Sequence, residues 1–312
     1  MRKLLAYAAI YILWGGSFLA IREVVSVVPP FFAAGFRFTL AGLVLIVWAR
    51  LAGLFDLSAR QFLHAALLGI INFMCLYACL FWAETRIPSG VAAIVSAMIP
   101  LWIYAGDVLV LRSQRATLLS LAGVVFGFLG VVVLAVYSAP GHGHRSASTI
   151  AILVTVAGTL CWSVGTLLSR RLTLPSPQKL NAGCQMFTGG FFLLLLSLAA
   201  RENHRLPALL SPRVLGSMLY LIVAASIITY TCYVWLIAHD SPTRVSSYAY
   251  VNPVIAMILG VALANEHLTG RQMAGAALVI FGVVATLVGR RTRRSRDEDQ
   301  RPQRKPATVG GR

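Results

Sequence analysis

The sequence predicts an all-α integral membrane protein of ten transmembrane helices, arranged as two inverted five-helix repeats. Three observations lead there. The chain of 312 residues is 58% hydrophobic and 12% charged, with a mean hydropathy of +0.78, whereas a soluble protein carries roughly a quarter charged residues. Residues 4–289 contain ten apolar stretches, and about 20 apolar residues suffice to cross the hydrocarbon. The last five stretches repeat the first five: Tyr77-Ala-Cys-Leu-Phe-Trp82 returns as Tyr230-Thr-Cys-Tyr-Val-Trp235 and Pro100 as Pro253, each displaced by 153 positions. Since five is odd, the second copy crosses the membrane in the opposite sense.

The spans are placed near 4–20, 31–50, 62–83, 88–110, 117–137, 148–169, 179–199, 213–236, 242–264 and 271–289. Met1-Arg2-Lys3 ahead of an apolar run has the outline of a signal peptide. Trp14 has a counterpart in Trp162, however, so this segment reads as an uncleaved first span. Arg22 and Gly42 correspond to Arg170 and Gly190, again 148 positions apart. Thr117, Gly123 and Gly130 of span five correspond to Thr269, Gly275 and Gly282 of span ten, 152 apart. Matches of Leu and Val are expected by chance in such a chain; matches of Trp, Tyr, Pro and Gly are not. The repeats are therefore set at 1–139 and 148–289.

Ser176-Pro177, Ser211-Pro212 and Ser241-Pro242 each put a capping hydroxyl before a proline, which is tolerated where a helix begins because its missing N–H is not needed there. Thr117 and Thr269 mark the starts of spans five and ten. Gly123, Gly127, Gly130, Gly275 and Gly282 read as close helix packing, inside a monomer or across a homodimer face. Residues 290–312 lack apolar periodicity and read as a disordered, basic, solvated tail in reach of membrane lipid.

The net charge of +17 does not point to nucleic acid, because nine of the 27 basic residues lie in the last 23 positions and most others flank spans. With the N-terminus inside, 19 Lys and Arg fall in cytoplasmic segments and seven in external ones. Both termini are thus expected in the cytoplasm of a multi-pass protein of the bacterial inner membrane. The five cysteines, Cys75, Cys79, Cys161, Cys184 and Cys232, all lie in apolar spans and read as packing, with no metal site and no disulfide framework. Gly141-His-Gly-His144 reads as a turn. No cofactor is expected, and no phosphate-binding Gly-x-x-x-x-Gly-Lys-Ser/Thr loop exists to power an ATP-driven pump.

Paired mid-span breaks in inverted repeats point to a solute site at the midplane, as in secondary transporters. Pro100 and Pro253 supply the breaks, since a mid-helix proline frees a carbonyl that must face protein or a watery cavity. Asn252, Tyr248 and Ser96 flank them. Tyr77, Tyr230, Trp14, Trp102 and Trp162 add aromatic faces suited to an amphipathic or zwitterionic small-molecule substrate. Trp48, Trp82 and Trp235, near span ends, read as interfacial anchors. Arg37 is costly inside span two; substrate contact, structural pairing and snorkelling are all open to it, and Gln185 is its counterpart. Asp107, Glu84 and Glu266 are the acids open to proton coupling. All three lie toward span ends, which leans toward facilitated export or exchange.

The motifs Trp14-Gly-Gly-Ser17-Phe, Phe36-Arg37-Phe38, Asn252-Pro253 and Asn265-Glu266-His-Leu-Thr269 followed by Gly275 and Gly282 stand in an order and spacing that resembles the EamA-type ten-span members of the drug/metabolite transporter superfamily. The resemblance covers residues 4–289 and adds Ser17 to the pathway candidates. It implies export of small metabolites or drugs through a central cavity, by rocking of one five-span half against the other, and no enzymatic activity. The chain departs from the pattern at Asn265, where a glycine usually precedes the glutamate, and at Gln114, which replaces Glu266 in the first half. A membrane-embedded enzyme would need clustered catalytic groups where the ten acids are scattered. A channel would usually be built on oligomeric rings.

Overall fold

The computed structural model describes residues 1–111, 117–136, 145–203, 211–240, 245, 247–266 and 269–299. The Gly141–His144 turn, Ser241-Pro242, Gln114 and positions 300–312 lie outside the described residues. Among those described, nine helices are long and apolar enough to cross a bilayer: α1 (Arg2–Val25), α2 (Pro30–Leu51), α3 (Ala59–Glu84), α4 (Ser89–Val110), α5 (Leu118–Val136), α6 (Thr149–Ser169), α7 (Gln178–Ala199), α8 (Pro212–Tyr233) and α10 (Gly270–Gly289). The shorter apolar helix α9 (Tyr248–Ala264) makes ten. The described residues hold no strand, only one isolated bridge between Asp56 and Ser176.

Several helix starts follow capping chemistry. Ser58 and Gln61 form a reciprocal capping box at the start of α3. Thr117 Oγ1 accepts from the Ser120 N–H at 3.1 Å, and Thr269 Oγ1 from the Gln272 N–H at 3.3 Å, so α5 and α10 begin the same way. The expected caps at Ser176 and Ser211 do not form. Pro177 itself occupies the capping position of α7, and the Ser211 side chain makes no cap bond to α8. At the other end, α10 runs on as helix to Asp299. The first ten residues of the expected disordered tail are therefore helical, because extending an existing helix avoids the cost of nucleation.

Corresponding helices pack on each other antiparallel. On the α5–α10 seam Gly123 abuts the Gly282 carbonyl while Gly130 abuts that of Gly275. These are the pairs that the repeat equates, met crosswise. The α2–α7 seam behaves alike: Gly42 meets Phe187, and Gly190 meets Thr39. Reciprocal contact of equivalent positions is the geometry of a two-fold axis. The glycines expected on a possible dimer face are thus occupied within the chain.

The remaining six helices do not sort by repeat. α1 packs with α8 and α9, and α6 packs with α3 and the second part of α4. Each group of three mixes both repeats, and the α2–α7 and α5–α10 pairs flank them. The five-span halves of the sequence are therefore not the packed halves of the molecule.

A Cβ at Gly123 would stand 2.6 Å from the Gly282 oxygen, whereas one at Gly216 on α8 would meet nothing within 4 Å. Gly123→Ala is expected to destabilise the protein by about 1–3 kcal/mol through overpacking, read as a lower thermal midpoint in detergent. Gly216→Ala, the control, is expected to show no loss.

Candidate substrate cleft

The site begins with backbone irregularity. α3 widens into π-helical turns over Gly69–Cys75, and α8 does so over Tyr220–Ile228, positions that the repeat places opposite each other. A widened turn shifts the hydrogen-bond ladder and leaves carbonyls needing other donors. Within a bilayer the protein must provide them. In α8, Ser226 Oγ donates to the Leu221 oxygen at 2.9 Å, Thr229 Oγ1 to the Ala224 oxygen at 2.7 Å, and Trp14 Nε1 to the Ala225 oxygen at 2.8 Å. Ser226, turned inward by this arrangement, also accepts from Arg37 Nε at 3.1 Å.

These groups border a small cleft between the two three-helix groups. Trp14, Ala225, Ser226, Tyr230, Tyr233 and Tyr248 line it from the α1–α8–α9 side. Phe73, Tyr77 and Trp162 come from α3 and α6, and Arg37, Phe38 and Met186 from the α2–α7 pair. Trp14 lies edge-on to Tyr248 at 5.1 Å, and Phe38 lies 4.4 Å from Tyr77. Repeat-related residues face each other: Trp14 and Trp162, Tyr77 and Tyr230, Phe38 and Met186, Phe73 and Ser226. Four lining residues depart from the symmetry, Arg37, Ala225, Tyr233 and Tyr248, and Arg37 is the charged one. Its counterpart Gln185 donates to Asn181 Oδ1 at 2.9 Å and does not line the cleft.

Six sequence candidates thus line the cleft: Trp14, Arg37, Tyr77, Trp162, Tyr230 and Tyr248. Seven do not: Ser17, Ser96, Pro100, Trp102, Gln185, Asn252 and Pro253. Ser17 and Ser96 donate to carbonyls of their own helices, those of Trp14 and Ala92. Trp102 Nε1 donates to Thr159 Oγ1 at 3.1 Å, with its ring against Phe128. Pro100 follows an interruption of α4 after Ser96, while α9 runs unbroken through Pro253, which is buried against its neighbours. With its amide nitrogen turned toward α1, Asn252 donates to the Ile10 and Tyr11 oxygens at 3.2 Å each. Those carbonyls belong to the widened turn Ala9–Leu13. The proline pair therefore marks packing beside the cleft, and the widened turns mark the cleft itself. Sequence reading missed Ser226, Phe38, Phe73, Met186, Ala225 and Tyr233. The repeat offset was the available signal, since it equates Met186 with Phe38 and Ser226 with Phe73.

The acids have distinct settings. Asp107 Oδ1 pairs with Arg170 Nη1 at 2.7 Å. Glu266 accepts from the Ser89 and Gly90 N–H groups at 2.8 and 3.2 Å, capping α4, and Glu202 caps α2 through Phe31 and Phe32 at 3.0 and 2.8 Å. Asn265, where the family favours glycine, ends α9 with φ of 50° in the left-handed region that asparagine tolerates. Glu84 is fully buried with neither carboxylate oxygen hydrogen-bonded, and Arg22 donates to its backbone oxygen. The tryptophans near span ends contact cationic or imidazole groups: Lys179 lies over Trp48, Arg86 over Trp82, and His239 stacks on Trp235.

The polar ties differ between the two faces. On the face bearing the N-terminus, Lys3–Asp240 and Asp107–Arg170 each lie within one three-helix group. On the opposite face, Arg22 to the Glu84 oxygen and Glu266 to Ser89 and Gly90 join one group to the other. Behind them Val24, Val28, Phe81, Ile87 and Val91 form a continuous apolar plug.

A ten-helix membrane bundle with a buried aromatic cleft between paired helix groups is the architecture of a transporter. The chain belongs to the EamA-like transporter family, whose model matches twice, over residues 2–136 and 149–288. It is similar to "Uncharacterized inner membrane transporter YedA" of Escherichia coli K12, 32% identical over 91% of this chain and 90% of that one. It also resembles "Probable amino-acid metabolite efflux pump" of Salmonella typhimurium, 27% identical over 92% and 95%. "Protein PecM" of Dickeya dadantii is 26% identical over 87% of each chain. A solved crystal structure shares the fold, with a TM-score of 0.64 and 23% identity over 93% of this chain and 98% of its own.

Because Glu266 holds two N–H groups of α4, Glu266→Ala is expected to cost about 0.5–2 kcal/mol, seen as a lower melting temperature of the purified protein. Asn265→Gly is expected to hold or raise that temperature.

Proposed function

We propose that the chain is a secondary transporter of the bacterial inner membrane that exports small metabolites, amino-acid-like solutes or drugs by alternating access. The repeats are 1–139 and 148–289, and both termini lie in the cytoplasm. The carrying observation is the cleft between two helix groups that are tied together on one face. Under the orientation set by Lys and Arg, the tied face is external, so this conformation is loaded from the cytoplasm. The printed names of the relatives, a transporter and an efflux pump, support the same reading. The moving bodies are then α1–α8–α9 and α3–α4–α6, hinged on the α2–α7 and α5–α10 seams. Opening outward breaks the Arg22 and Glu266 ties and parts the apolar plug.

Of the three acids considered for coupling, Asp107 is committed to Arg170 and Glu266 to the start of α4. Glu84 alone retains a free carboxyl, and it sits beside the external tie, so a proton exchanged there would be linked to opening.

The test is flux in proteoliposomes, with substrates chosen from a metabolite-toxicity screen of cells lacking or overexpressing the protein. Saturable counterflow is expected, reduced about tenfold or more in Tyr77→Ala and Tyr230→Ala as stacking faces are lost. Glu84→Gln is expected to abolish the response to a proton gradient while sparing counterflow. Non-saturable flux would contradict a carrier, and a gradient response that survives Glu84→Gln would remove Glu84 from coupling.

A further inference from the structure

Arg37 is 2% exposed, yet it forms no ion pair among the described residues. Its Nε is taken by Ser226 Oγ at 3.1 Å, and its guanidinium lies over the rings of Phe38 at 4.6 Å and Tyr77 at 5.5 Å. Its Nη1 is buried and has no hydrogen-bond partner. Glu84, the acid on neighbouring α3, attracts it electrostatically but makes no hydrogen bond to it. The residues that line the cleft include no carboxylate. The cleft is thus an aromatic chamber whose lining holds one fixed positive charge.

A buried charge persists at high cost unless a counter-charge meets it. An arginine fork facing a carboxylate forms the strongest ordinary hydrogen-bonded pair, with two parallel N–H donors. The aromatic walls, with centroid separations of 4.4 to 6.3 Å among Phe38, Tyr77, Phe73 and Trp162, suit a flat or branched apolar body. A solute whose only charge is positive would instead meet Arg37 in a low-dielectric chamber, and like charges repel strongly there.

We propose that Arg37 is the anion-binding residue of the cleft and that the substrates are amphipathic carboxylates, one carboxylate on an aromatic or branched apolar body, with simple organic cations excluded. Ser226 is the positioning residue that fixes the guanidinium through Nε. The repeat explains why the cleft holds a single such charge: the equivalent place carries Gln185, which turns to Asn181. The single charge therefore selects one solute orientation in the cleft.

This inference rests on the carrier reading, and its test is separable from it. Three probes of one shape and different charge, 3-phenylpropanoate, 3-phenylpropanamide and 3-phenylpropylamine, are titrated into the purified full-length protein in nanodiscs, with binding read by the fluorescence of Trp14 and Trp162. The carboxylate is expected to bind about tenfold or more tightly than the amide, the scale of a charge-assisted pair, and the amine more weakly still. Arg37→Gln is expected to erase the preference for the carboxylate, and Arg37→Lys to restore part of it. Ser226→Ala, which keeps the charge, reports on the fold if Arg37→Gln is poorly behaved, and is expected to weaken the carboxylate alone. Equal or tighter binding of the amine, no carboxylate-dependent binding in well-folded protein, or a carboxylate preference that survives Arg37→Gln would overturn the proposal. Saturable counterflow of other solutes without a carboxylate preference would leave the carrier reading standing and sink this one. Carboxylate binding without any flux would do the reverse.

Discussion

Hydrocarbon offers no hydrogen bonds, and that constraint decides where this chain departs from a regular helix. Every carbonyl released by a widened turn must find a donor inside the protein. In α8 the donors are Ser226, Thr229 and Trp14, and in α1 the Ile10 and Tyr11 carbonyls take the Asn252 amide. The satisfied turns place polar atoms at mid-membrane depth without exposing them to lipid. The cleft forms where these turns from α3 and α8 lie opposite each other, and aromatic side chains fill the space around it.

The two seams give this arrangement its frame. Glycines let α5 approach α10, and α2 approach α7, closely enough for backbone to touch backbone. Packing so close resists sliding, so the proposed movement falls to the six helices between the seams. Those six are grouped by contact rather than by chain order, which links the repeats: each helix group borrows one helix from the other repeat. On the face away from the N-terminus, the groups are joined by Arg22, by Glu266 and by the apolar plug. On the N-terminal face, each ion pair stays inside its group. Ties between the groups at one face, with the described ion pairs of the other face kept inside each group, are what the proposed alternation would use.

Much of the fold was legible in the sequence, because hydropathy and repeated Trp, Tyr, Pro and Gly depend on few partners. The aromatic lining at Trp14, Tyr77, Trp162 and Tyr230 followed from the same landmarks. Three things were not legible. Pro100 and Pro253 looked like cavity markers, since a proline announces itself in one letter; the widened turns near Gly69 and Tyr220 have no such letter and arise from how helices fit together. Glu266 stands in the sequence as an acid open to proton coupling, and its contact with the start of α4, far away in sequence, comes only from the fold. The division into α1–α8–α9 and α3–α4–α6 depends on contacts across the whole bundle, which an offset between repeats cannot reveal. Asn265 shows the opposite case, a departure from family pattern made sensible by one backbone angle.

The central claim is that the packed groups, not the repeats, are the bodies that move. Distances between paired spin labels test it, with one pair at Val27 and Arg86 on the face away from the N-terminus and another at Arg171 and His239 on the N-terminal face. Each pair lies within a single repeat but spans the two helix groups. On adding a transported solute, the account expects the first distance to lengthen as the second shortens. Constancy of both, with change confined to label pairs placed across the repeats, would contradict it.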